Sequence, residues 1–82
     1  MPLPSKAYIL IDATIGKSRD VARALKSVKP VLEAYLITGP YDVIAVVQGK
    51  DSEDVSNIVS NQVHRIPGIV RTVTCLAIPG RG

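Results

Sequence analysis

The stretch TGPYDVIAVVQGKD, Thr38 to Asp51, sets a polar turn directly in front of an apolar strand. Within the turn Gly39-Pro40-Tyr41-Asp42, Pro40 presets φ and Asp42 can hydrogen-bond its own backbone. A central strand reached through a tight polar loop is a sensible place to hold a small ligand. A bare hairpin turn accounts for Gly39 and Asp42 equally well. The remaining reactive groups are scattered. His64 is the only imidazole and Cys75 the only thiol in the chain. No nucleophile is paired with a base, and Asp12, at a strand end, reads as loop hydrogen bonding. The chemistry on offer is binding rather than catalysis.

Those residues need elements to position them. Lys6–Ala13 (KAYILIDA) reads as a first strand with apolar side chains on both faces. A loop with Gly16 leads to a helix that Ser18 should N-cap, with Asp20 just inside. Val21, Leu25 and Val28 form its buried stripe, and Pro30 ends it. Val31–Thr38 is a second strand, with Leu32, Ala34 and Leu36 on one face and Glu33, Tyr35 and Ile37 on the other. That mixed second face suggests an edge, or a surface meeting another chain. Val43–Val47 is a third strand, apolar on both faces as in a strand covered from both sides. Asp51 or Ser52 can N-cap a second helix, Ser52–Arg65, with Glu53 and Asp54 in its first turn. Val55, Ile58, Val59 and Gln62–Val63 give its inward stripe. His64 lies nine residues from Val55, half a rotation away on a 3.6-residue period, so it should face solvent. Pro67-Gly68 stops the helix before a fourth strand, Ile69–Ile78, and the tail PGRG should be loose.

An internal repeat organises these pieces. KSRDV (17–21) aligns with DSEDV (51–55), and SVKPVLEAYLIT aligns with HRIPGIVRTVTC. Two βαβ units make βαββαβ, an α+β ferredoxin-like sandwich with a four-stranded antiparallel sheet and strands one and three at its centre. Two helices cover one face and leave the other with several hundred Å² of apolar surface, more than monomers usually expose. At about 25 cal/mol per Å², covering it with a second copy outweighs the net stability of a small domain. A sheet-to-sheet dimer, barrel-like in outline, is expected.

Composition excludes other classes. Eighty-two residues make one domain, 46% apolar, with no Phe or Trp and three Tyr, so the core must be aliphatic. No apolar run is long enough for a membrane span, and MPLPSK lacks the apolar core of a signal peptide. Cys75 has no internal disulfide partner and reads as a buried reduced thiol. The cytoplasm is the expected location. The net charge is +3 with a pI near 9.3. Arg19, Arg23 and Lys26 fall on one outer helical stripe, which a solvated face explains. With no aromatic platform and no length for a helix-turn-helix, no specific nucleic-acid contact is expected. Nothing calls for a metal or cofactor.

Taken together, TGPYDVIAVVQGKD, the helix after it and IPGIVRTVT resemble the effector-binding (RAM) domain of Lrp/AsnC transcription regulators. The matching positions are Thr38, Gly39, Asp42, Pro67, Gly68, Arg71 and Thr72, with Thr74 two further on. The resemblance covers about residues 6–78 of a single domain, 1–82, and no DNA-binding domain accompanies it. It implies a dimer of sheets that often assembles further, commonly to an octamer, with a free amino acid bound where dimers meet. Thr38, Gly39, Tyr41 and Asp42, with Thr72 and Thr74 from a neighbouring subunit, are the implied ligand-binding residues. The turn's N–H groups suit a carboxylate and Asp42 suits an ammonium ion. Pro40 has no N–H where the family often carries an acidic or polar residue, so the loop offers one donor fewer. The implied role is transcription regulation at second hand, through ligand sensing or through full-length Lrp/AsnC partners.

Two other readings stand beside this one. Small dimeric α+β barrel monooxygenases and isomerases share the topology. Their sites need a base in a cavity, and the only His here is expected outside, so no enzymatic role is assigned. A pure interaction module that enters mixed oligomers with full-length regulators is the third reading. The bland account of Thr72 and Thr74 is that β-branched residues suit strands.

Overall fold

In β1 (Ser5–Ala13), every second residue, Ala7, Ile9 and Ile11, is fully buried, and the chain turns after Ala13 into α1 (Ser18–Leu25). β2 (Val31–Leu36) and β3 (Val43–Gly49) follow, then α2 (Ser52–Ile58), a π-helical turn (Val59–Val63) and β4 (Ile69–Leu76). The computed structural model describes residues 4–78. The expected loose PGRG tail lies outside them.

All pairings are antiparallel, and the sheet order β2-β3-β1-β4 puts β1 and β3 at the centre. This is the ferredoxin-like α+β arrangement that the repeat predicts. Residues opposite one another across an antiparallel pair share a face. Ala7, Ile9 and Ile11 therefore lie level with Val47, Ala45 and Val43 on the helix side. Val21 and Leu25 of α1, Val55 of α2 and Val63 pack over them, all four fully buried. Among the described residues no polar side chain is buried. The core is aliphatic, as the composition requires.

The opposite face has no helix over it. Tyr8, Leu10, Ile44, Val46, Val73 and Cys75 alternate onto it from the three strands β1, β3 and β4. Val46 is buried there, but Tyr8 is 39% exposed and Val73 37%. Cys75 stands opposite Tyr8 on this face and is exposed. The expected buried thiol is thus corrected, because strand alternation points it away from the helices. On β2, exposed Glu33 accepts a hydrogen bond from the Tyr35 phenol, and that bond with the adjacent carboxylate raises the phenol's pKa.

Several boundaries differ from the sequence pattern. Lys17, not Ser18, occupies the N-cap of α1, with no side-chain cap bond. α1 stops at Leu25, and Lys26, Ser27 and Val28 bond three residues back, tightening the chain before Pro30. β2 ends at Leu36 and β4 at Leu76, each two residues short of expectation. Asp51 does cap α2, accepting from the Asp54 N–H at 2.8 Å. The single helix expected over Ser52–Arg65 is two segments, and Gln62 is exposed rather than inward.

That division has a packing cause. On an unbroken α-helix Val63, eight residues past Val55, would sit about 80° off the buried stripe. The His64 N–H donates to the Val59 carbonyl at 2.9 Å, five residues back. One extra residue in a turn sets later positions back by about 100°. Val63 then returns to within about 20° of Val55, and it is fully buried. Burial of Val63 is what the wide turn achieves.

Candidate functional site

The turn after β2 is tied to the end of β1. The Asp42 N–H donates to the Ile11 carbonyl, and the Ile37 N–H to the Asp42 carbonyl, each at 2.9 Å. Asp42 Oδ2 accepts from the Ala13 N–H at 2.9 Å, in a half-buried position. Oδ1 has no hydrogen-bond partner among the described residues. Gly39 has φ +144, a conformation that L side chains rarely adopt, and nothing lies within 4 Å of where a Cβ would stand. Glycine is needed there for backbone freedom alone. Thr38, Gly39 and Pro40 are exposed, while Tyr41 and Asp42 are half-buried.

Tyr41 leans on a second cluster. The Arg71 guanidinium lies 5.8 Å from the Tyr41 ring centroid, within cation–π range. It also donates to Asp12 Oδ2 from Nη2 at 2.8 Å and Nε at 3.1 Å. Asp12 and Arg71 are direct partners across β1 and β4. Asp12 thus serves an ion pair rather than its own loop. The pair is largely exposed and contributes little stability. Its geometric effect is larger: β1, β4 and the turn meet at one end of the sheet. Strand pairing would have revealed Asp12–Arg71, but the contact with Tyr41 had no sequence signal.

Thr72 and Thr74 stand opposite Ile11 and Ile9 on the helix side of β4, the edge strand. Thr72 is half-buried and Thr74 exposed. Only β1 lies between them and the turn, and Arg71, the neighbour of Thr72, reaches the Tyr41 ring, so the six expected ligand residues lie toward one end of the sheet without a direct contact between the threonines and the turn. His64, expected to face solvent alone, is exposed, but its Nε2 lies 2.8 Å from Thr72 Oγ1. The imidazole tautomer decides which of the two donates.

A cavity of about 350 Å³ lies elsewhere, between α1 and the free edge of β2, rimmed by Arg19, Arg23 and Lys26 over Ala22 and Ala34. It offers cations and no carboxylate, so only the carboxylate end of an α-amino acid would find a charged partner there. Among the described residues no cluster of His, Cys, Asp or Glu could hold a metal ion. No described helix is long and apolar enough to cross a membrane.

Comparison with known proteins gives this geometry a context. The HTH-type transcriptional regulator LrpA of Pyrococcus abyssi is 38% identical over 68 residues, which is 83% of this chain and 47% of LrpA. The chain spans about half the length of the curated relatives it matches, which are named as transcriptional regulators. The crystal structure of TTHA0845 from Thermus thermophilus superposes with a TM-score of 0.87 at 31% identity, covering 95% of this chain and 98% of that one. A Neisseria meningitidis transcriptional regulator, NMB0573, crystallised as its L-Met complex, shares the fold with a TM-score of 0.80 at 17% identity, over 90% of this chain and 49% of its own. The family model for the Lrp/AsnC ligand binding domain matches residues 6–79. A match of that extent, on a βαββαβ sheet with the Thr38–Asp42 turn at its end, means that the chain belongs to the Lrp/AsnC ligand-binding domain family.

Proposed function

We propose that this domain senses a free amino acid and converts its binding into a change of assembly, regulating transcription through the regulators it joins. The observation that carries the reading is the anchoring of the turn. Asp42 fixes its backbone to β1 through one oxygen and keeps the other for an ammonium ion, so the site is organised before any ligand arrives. The backbone N–H groups around Thr38 and Gly39 receive the carboxylate, and Tyr41 closes one side. Thr72 and Thr74 of a neighbouring subunit complete the pocket, from the free edge that β4 presents to another copy. Binding of L-Met by a regulator that shares the fold supports the ligand class.

The apolar sheet face is covered by a second copy, and rings such as an octamer bring turns and β4 edges together. Partners are other copies of the chain, full-length Lrp/AsnC regulators and the amino acid; no sequence-specific DNA contact belongs to the domain. The test is a thermal-shift screen of the twenty amino acids followed by isothermal titration. At least one should raise Tm and bind stoichiometrically. If none does at millimolar concentration, amino-acid sensing is wrong and the domain serves assembly alone.

A further inference from the structure

His64 and Thr72 are joined through a local irregularity of the backbone. On a regular helix His64 would stand about 180° from the buried Val55. The π-helical turn, fixed by the His64 N–H to Val59 carbonyl bond, brings it back to about 80° and over the edge strand β4. There Nε2 meets Thr72 Oγ1 at 2.8 Å. π-turns are rare and recur at functional sites.

A threonine hydroxyl carries one proton and two lone pairs. Without a partner on a strand, its χ1 is restricted by β-branching, but no bond selects a single staggered well. Bonded to an imidazole, it has one favoured rotamer and presents its remaining hydrogen-bonding capacity in one direction. We propose that His64 is a positioning residue for Thr72, delivered by the π-helical turn, and that it sets how Thr72 meets the carboxylate or ammonium group of an amino-acid ligand. The inference rests on the proposed ligand site only through Thr72; the His64–Thr72 pairing itself stands on this chain's geometry.

The test separates the two. NMR three-bond couplings from the Thr72 γ-methyl carbon to backbone N and C′ report its rotamer without any ligand. Wild type and His64→Gln, whose amide can replace Nε2, should show one rotamer, whereas His64→Leu should show averaging. Titration with whichever of the twenty amino acids binds wild type should then show His64→Leu weakened roughly 3- to 10-fold, the size of one neutral hydrogen bond. His64→Gln should stay within about twofold, since its amide keeps a neutral bond to Thr72. Unchanged couplings in His64→Leu overturn the proposal, even if affinity falls, because His64 would then act on the ligand directly. Averaged couplings with undiminished affinity overturn the ligand half. Should no amino acid bind wild type, the sensing function falls and the couplings alone decide the role of His64.

Discussion

Asp42 anchors the turn with one oxygen and, in the proposed site, holds an ammonium ion with the other, and substitutions can separate the two roles. Asp42→Asn keeps an oxygen for the Ala13 N–H and removes the charge. The fold should persist while amino-acid affinity, read by calorimetry, falls roughly 10- to 100-fold, the loss of a charge-assisted bond of about 1.5–3 kcal/mol. Full affinity in Asp42→Asn would reduce the turn to a structural feature. Asp42→Ala also leaves the Ala13 N–H unpaired and should lower stability by about 1 kcal/mol in urea denaturation. Gly68 is constrained twice. Its φ is +98, and a Cβ would stand 3.1 Å from both Lys17 Cβ and Val21 Cγ2. Gly68→Ala should cost about 1–2 kcal/mol from the backbone conformation, with the contact adding to it; an unchanged urea midpoint would contradict this. At this scale the sequence exposes glycine and acid positions well, because turn chemistry is local. It does not expose which face Cys75 takes, since that depends on where both helices settle.

The elements were legible where a local rule decides them. Asp51 caps α2 as its position suggests, and Asp51→Ala should cost about 1 kcal/mol. Ser18 fails as a cap although its residue type is right, because the helix begins at Ser18 and its N-cap is Lys17. The π-helical turn has no sequence signature at all. It answers a tertiary demand, the burial of Val63, which a 3.6-residue pattern reads as a slightly drifting stripe. This makes a sharp expectation at the level of the element. Deleting exposed Ser60 should yield a regular α-helix with Val63 still buried and His64 still over Thr72. Thermal melting should show an equal or higher Tm, and a fall of several degrees would mean that the wide turn is not a one-residue insertion.

At the scale of the molecule, strands with apolar residues on both faces support the proposed assembly with a second copy. Light scattering at micromolar concentration should give at least twice the 8.8 kDa chain mass. Ile44→Glu, placing a charge amid that face, should return it to the mass of one chain. A monomeric wild type would remove the assembly half of the proposed function. The β1–β4 pairing carries another implication. The Ala77 N–H donates to the Lys6 carbonyl at 2.8 Å, so both ends of the described chain leave side by side. Ile11, which the turn grips, lies six residues along β1 from Ser5, on the order of 20 Å away. A protein or fluorophore tethered at either end is therefore attached about 20 Å from the turn. Under the proposed sensing function, such a tag would report ligand binding chiefly through the neighbours that assembly sets around it.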